Sequence, residues 1–246
     1  MLSVIVPAAW GYEPFCNFLA NVVELPVVGE VILINNNVAK TPEHPVLSHF
    51  KVHVYNQEEN IFVNPAWNLG VSLASNDKIC ILGDDVLVDL RVFFEADRFV
   101  SKEIGILAMG IHLDLYRAQN NQYEEVDAKN LITTGDIKIK SIHDRPNTAG
   151  MGSLFFIHKE NWVTIPEEFK VYWGDTWQSD MQAAYGRINY YINDCFYHTP
   201  WSMAVKSGVG CDYQVTPEFK QTENHEYYKI VKENKIEEII RGKHGR

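Results

Sequence analysis

The chain has 246 residues, of which 46% are apolar, enough for one sizeable α/β core or one core with a modest appendage. Its 32 acidic side chains outnumber 22 basic ones, and the resulting formal charge of −10 disfavours nucleic acid as a partner unless a local basic face exists. No apolar run approaches the ~20 residues that a membrane-crossing helix needs, so a cytoplasmic protein without a transmembrane segment is expected. Cys16, Cys80, Cys195 and Cys211 are scattered without CxxC spacing, which suits reduced, buried thiols better than disulfides or a zinc site.

The amino-terminal MLSVIVPAAW is apolar, but it lacks a basic leader and a small-residue cleavage site, and Pro7 interrupts it. A buried first strand is expected there, not a signal peptide. Further short apolar runs follow at 31–34, 52–55, 79–82 and 104–107, and nearly continuous runs of this kind predict buried strands of a mainly parallel sheet. Between them, helices are predicted over Glu13–Leu25, ended by Pro26, over Pro65–Ala74 with Asn64 as its cap, and over Leu90–Val100. The β-α alternation predicts an open, doubly wound sheet up to about residue 110. From His112 to Arg145 the sequence is polar and weakly periodic, and an irregular excursion is expected. Regular structure is predicted to return as a strand at Ser153–Ile157, a helix at Thr176–Tyr185, a strand at Asn189–Ile192 and a terminal helix at His225–Ile240, before the basic tail RGKHGR.

Open α/β sheets bind ligands at the carboxyl ends of their strands. Three such ends stand out: Pro7–Trp10, Asn35–Asn37 and Gly83-Asp84-Asp85. Two adjacent carboxylates after KICIL suit a hard divalent ion shared with phosphate oxygens, as a departing diphosphate requires. The plainer reading is a Gly-Asp-Asp turn, and the position at a strand end favours the functional one.

Taken together, LSVIVPAAW, EVILINNN and NPAWNLGVSLASNDKICILGDDV resemble the nucleotide-binding half of family 2 glycosyltransferases, which have the GT-A fold. The resemblance covers residues 1–110 well and 145–200 more loosely. It implies one Rossmann-like α/β domain with a mainly parallel twisted sheet: 1–110 for the nucleotide sugar, 111–224 for the acceptor, and 225–246 as a carboxy-terminal helix and tail. It implies transfer of a sugar from a nucleotide-diphosphate donor to a hydroxyl, with Mn²⁺ or Mg²⁺ and with inversion. Pro7 and Ala8 would line the nucleotide, and Asn35 or Asn37 would face the base. Asn68 would hold the helix beside the donor, Asp84 would contact the ribose or sugar, and Asp85 would ligate the metal. Gly83 departs from the family's first acidic position.

On the acceptor side the resemblance rests on AGMGSLFFI at 149–157, which contains Gly152, on YWGDTWQSDMQAAYG at 172–186, and on CFYHTPW at 195–201. Inversion needs a carboxylate that takes the acceptor proton. Asp175, at the place of the family's second acidic residue, is the candidate base, with helix capping as its plainer role, and Gly174 stands where the first acid would be. Asp180 is the reserve, and a paired helix carboxylate is its plainer role. His198 is a candidate metal or diphosphate ligand, or else a buried structural histidine. Trp173 and Trp177 flank Asp175 and could stack on a sugar, although most aromatics in this half will be core.

Two other readings compete. A nucleotidyltransferase would use a similar sheet, but VPAAWGYEP lacks the glycine-rich loop expected after the first strand. A sugar-nucleotide-binding module without catalysis is the other, and Asp84, Asp85 and Asp175 together speak against it. The acceptor is expected to be a glycan or a small hydroxyl compound. A modified DNA base would need a basic face, for which Lys138, Lys140 and Arg145, with Arg241, Lys243 and Arg246, are the hints; solvated charge is their plainer role.

Overall fold

The computed structural model describes residues 1–109, 136–141, 152–193, 195–198, 217–234 and 236. In chain order the strands are β1 (Leu2–Ala8), β2 (Val28–Asn35), β3 (Val52–Asn56), β4 (Lys78–Leu82), β5 (Leu87–Val88), β6 (Leu107–Met109), β7 (Lys138–Ser141), β8 (Leu154–His158), β9 (Tyr190–Asn193) and β10 (Tyr197–His198). The helices are α1 (Phe15–Val23), α2 (Val63–Leu73), α3 (Arg91–Phe99), α4 (Gly174–Ala184) and α5 (Pro217–Glu233). Eight strands form one sheet in the order β3-β2-β1-β4-β8-β6-β9-β7, while β5 and β10 pair antiparallel in a small ribbon. Neighbours β3-β2-β1-β4 are parallel, β8 runs against both β4 and β6, β9 is parallel to β6, and β7 runs against β9. The sheet is therefore mainly parallel, with two strands reversed, and it has the GT-A arrangement.

Continuous apolar runs are needed because both faces of the sheet are covered. Val4, Val6, Cys80 and Leu82 pack with Phe15, Phe18, Leu19 and Val22 of α1 and Val92, Phe93 and Ala96 of α3. Their neighbours Ile5, Ile79 and Ile81 face the other way, onto Trp67 and Val71 of α2, Trp177 of α4, and Tyr227 and Val231 of α5. α2 lies close on β1 at Gly70, where a Cβ would lie 2.3 Å from Ile5 Cγ2. Ile5 is fully buried and β-branched, so it cannot turn aside. Gly70→Ala should therefore lower stability by about 1–3 kcal/mol through overpacking, although alanine favours an isolated helix by about 1 kcal/mol. Thermal unfolding checks the sign: a raised Tm would show that α2 can lift off β1.

Several boundaries differ from the sequence expectations. No helix joins β2 to β3. Pro42 and Pro45 lie in that connection, which forms two short 3₁₀ turns at Val38–Lys40 and Pro45–Ser48. The strand expected at 104–107 begins at Leu107 instead, because Asn189 Oδ1 takes the Ile106 N–H at 2.9 Å and Gly105 N–H goes to the Ile188 carbonyl. Phe62, with φ 67°, occupies the cap position of α2, and Asn64 lies fully buried within the first turn. α4 begins two residues before the predicted start, and α5 starts at Pro217, whose fixed φ suits a first helical turn.

Lys138 and Lys140 project from the edge strand β7, where exposed lysines guard against strand addition. Arg145, Arg241, Lys243 and Arg246 lie outside the described residues. Cys16, Cys80 and Cys195 are buried thiols, whereas Cys211 lies outside the described residues. Among the described residues no helix is long and apolar enough to cross a membrane.

The two ends of the parallel strands have different duties. At the amino ends, Glu30 is buried and accepts from Ser3 Oγ at 2.5 Å and from the Ser75 amide and hydroxyl at 2.7 Å each. Burial pushes its carboxyl up, but these bonds outweigh it and hold it below the usual range. That end is devoted to holding strands together; the chemistry-bearing side chains gather at the other.

Candidate functional site

Pro7 sits in the central strand β1, where a missing N–H would normally break a ladder. Its neighbour Ala8 faces β2, accepting from Asn36 N at 2.9 Å, so Pro7 N faces the β4 side. Pairing with β4 stops at Ile5–Ile81, so no bond is lost. Beyond Ala8 the chain turns through Trp10, a non-glycine residue with φ 61°. Such backbone persists only where surroundings impose it. Here Asp84 does so, one carboxylate oxygen accepting from Ala9 N at 2.7 Å and Trp10 N at 2.8 Å. Burial raises the Asp84 carboxyl, and those amides pull it partly back.

Asp85 follows Asp84 in the same turn. Gly83, which replaces an acidic residue of the family pattern, is explained by space: a Cβ there would lie 2.9 Å from Asp85 Oδ1 and 3.3 Å from Val86 Cγ2. Tyr12 lies near enough to Asp85 to feel its charge; its phenol is pushed up to about 12, chiefly by burial and then by Asp85. The β5–β10 ribbon sets His198 opposite Leu87, two residues after Asp85, which brings the two expected metal ligands into one neighbourhood along the chain. Only the backbone of His198 is described. No group of three or more His, Cys, Asp or Glu side chains converges as a preformed metal cage among the described residues. A hard carboxylate beside an open strand end still fits Mg²⁺ or Mn²⁺, ions that take their remaining ligands from phosphate and water.

At the ends of β2 and β3 lies a row of amides. Asn35 is fully buried; its Oδ1 accepts from Trp10 Nε1 at 2.7 Å and Asn37 N at 3.2 Å, and its Nδ2 donates to Thr41 Oγ1 and Asn56 Oδ1 at 2.7 and 2.8 Å. Indole and backbone N–H groups can only donate, so both amide orientations follow from the network. Asn56 is exposed. Asn35 therefore braces this strand end, with Asn56 and Asn37 as its neighbours. Asn68 is also fully engaged, bonding Trp162 Nε1 and the Ile165 amide and carbonyl at 2.9–3.1 Å, and it ties α2 to the 162–165 segment.

The acceptor-side residues meet this edge through Gly152 and Ser153. Past the last β4–β8 pair, Gly83 N donates to the Ser153 carbonyl at 2.8 Å, so the Gly-Asp-Asp turn lies against 152–153. A Cβ at Gly152 would lie 3.2 Å from Asp175 Oδ2. Asp175 is in the first turn of α4 and is not its cap; Trp173 holds that position with φ 68°. Asp175 Oδ1 accepts from Thr176 N at 2.8 Å. Gly174 is also a matter of space, since a Cβ would lie 2.1 Å from Asn64 Oδ1 and 2.8 Å from Trp67 Cζ3.

The other acceptor-side candidates are less available. Trp177 is buried edge-on against Phe169 and offers no sugar-stacking face, a correction to the sequence expectation. Trp173 stacks on Tyr227 at 4.3 Å, and Asp180 accepts a hydrogen bond from Tyr227, the paired role that was its plainer reading. The sequence reading passed over Trp10, Tyr12, Asn56, Ser153 and Tyr227. Of these only Trp10 carried a signal, its place directly after a strand that ends in proline.

No protein-family profile matches this chain, and no curated protein matches it. Solved structures do. The Staphylococcus aureus TarS fragment 1–349 in complex with UDP-GlcNAc superposes with TM-score 0.57 at 14% identity, covering 98% of this chain and 71% of the fragment. TarS of S. aureus gives 0.56 at 14% identity, and this chain spans 42% of it. The mannosyltransferase PcManGT from Pyrobaculum calidifontis, in complex with GDP-Man and Mn²⁺, gives 0.49 at 14% identity over 76% of this chain and 53% of its own. At such identities what is shared is the fold.

Proposed function

We propose that this chain is a glycosyltransferase that moves a sugar from a nucleoside-diphosphate sugar to an acceptor hydroxyl, with inversion at the anomeric carbon and with Mn²⁺ or Mg²⁺. One observation supports the reading: the Gly83-Asp84-Asp85 turn and Asp175, distant in sequence, both meet the 152–153 segment, through the bond from Gly83 N to the Ser153 carbonyl and the close approach of Asp175 to Gly152. That pairing supplies a cation-binding carboxylate for the leaving diphosphate and a base for the incoming hydroxyl in one place.

In this reading Asp85, with His198, holds the divalent ion, whose charge neutralises the departing diphosphate. Asp84 fixes the turn carrying Ala9 and Trp10 against the nucleotide. Asp175 removes the proton of the acceptor hydroxyl as it attacks. The N–H₂ of exposed Asn56 would donate to O4 of uracil or O6 of guanine, positions at which cytosine and adenine carry an amino group instead. UDP-GlcNAc bound to TarS on this fold is consistent with such a donor. A neutral hydroxyl acceptor, a glycan or a small compound, suits the acidic chain better than a DNA base. Retention of Asp84, Asp85 and Asp175 together speaks against a binding module without catalysis.

The test is thermal stabilisation by UDP, GDP, ADP and CDP sugars with and without Mn²⁺. Ligand at ~100 times its Kd adds about 2.7 kcal/mol to stability, or roughly 5–10 °C in a chain of this size. A Mn²⁺-dependent shift with a uridine or guanosine donor is the expected result, and no shift with any donor would overturn the reading.

A further inference from the structure

Glu223 of α5 is 3% exposed, and among the described residues it is a buried carboxylate that serves no step above. Its two oxygens take three consecutive backbone N–H groups: Lys170 at 2.7 Å, Val171 at 3.1 Å and Tyr172 at 2.7 Å. Burial keeps its carboxyl above the usual range despite those bonds, with Lys170 adding only a weaker attraction. The opposite side of the same turn is held by Asn64 of α2, whose N–H donates to the Lys170 carbonyl at 3.0 Å and whose Nδ2 donates to the Tyr172 carbonyl at 2.8 Å. Amides are thus fixed from α5 and carbonyls from α2. The next residue is Trp173, in the left-handed region; its indole N–H reaches Asn224 Oδ1 at 2.7 Å, and its ring lies on Tyr227. Two residues on is Asp175.

We propose that Glu223 is a positioning residue for Asp175: by gathering the three amides of 170–172 it imposes the Trp173 conformation and so sets where the Asp175 carboxylate stands. The proposal rests on Asp175 being the base. In a turn without secondary structure of its own, the three adjacent N–H groups bond to Glu223, and rotation about Trp173 would swing the start of α4. A displacement of ~1 Å at a catalytic group costs on the order of 100-fold in rate. α5 then belongs to the catalytic apparatus although it lies outside the sheet.

The experiment uses the full chain with Mn²⁺ and either UDP-GlcNAc or GDP-mannose, water acting as acceptor, and reads nucleoside diphosphate release. Glu223→Gln, which keeps the shape and one good acceptor, is expected to lower kcat about 10- to 100-fold with donor KM unchanged. Glu223→Ala should lower it further. Asn224→Ala, which removes only the Trp173 bond, should lower it less with Tm preserved. In the ligand-free protein, the ¹⁵N-labelled Trp173 indole resonance should move in every variant. Unchanged kcat in the Glu223 variants, or a loss matched by an equal rise in donor KM, would overturn the proposal. Asp175→Asn run alongside separates the two failures. Activity lost in Asp175→Asn but intact in Glu223→Ala sinks the positioning role alone, and activity intact in Asp175→Asn sinks the base assignment and this role with it.

Discussion

Asp175→Asn is expected to reduce sugar transfer by about 10²- to 10⁴-fold, the usual contribution of a general base, while leaving donor affinity as it was. The substitution is well suited to the question. Asparagine keeps the size of the side chain, so contact with Gly152 is preserved, and its carbonyl oxygen can still accept from Thr176 N. What it lacks is the ability to take a proton. Loss of stability is not the confounder, because α4 is capped by the Trp173 turn and not by Asp175. The check is a pair of measurements: single-turnover transfer, and donor binding by calorimetry. A variant that binds and transfers normally removes Asp175 from the role of base. One that neither binds nor transfers shows that the carboxylate belongs to the donor site.

Asp85→Ala should abolish the Mn²⁺-dependent part of donor binding and with it the whole stabilisation of about 2.7 kcal/mol expected at ~100-fold ligand excess. The ligand-free protein should remain folded, since the turn after β1 is anchored by Asp84, through Ala9 and Trp10. A second readout needs no metal or donor. Asp85 is one of two causes holding the Tyr12 phenol at about 12, so its removal should lower that value part of the way toward 10. Burial, the larger cause, remains. A lowered Tyr12 together with intact Mn²⁺-dependent binding would show that Asp85 is nearby but is not the ligand. The matching Asp84→Ala change should act differently, freeing the Ala9 and Trp10 amides and loosening the turn itself.

The sequence by itself determined β1 to β4, β8, β9 and the class of fold, whereas β7 formed within 112–145, where an irregular excursion was expected. Runs such as LSVIV and KICIL must be buried on both faces, and that condition holds whatever the partners are. It also put Gly83-Asp84-Asp85 at a strand end, because a strand that stops in Gly-Asp-Asp can place those groups nowhere else. What it left undetermined depends on residues far apart in the chain. Asn35 looked like a base reader, and only the arrival of Trp10, Thr41 and Asn56 shows that its amide is fully engaged. Gly83 and Gly174 looked like missing acids, and only the packing of Asp85 and Asn64 shows why a Cβ has no room at either. Trp177 and Asp180 looked like site residues from their nearness to Asp175 in sequence, but a helix turns ~100° per residue, and both face Phe169 or Tyr227 instead. Local periodicity is written into each segment; the division of labour among polar side chains is decided by which distant donor or acceptor reaches them first, and that is a property of the folded chain alone.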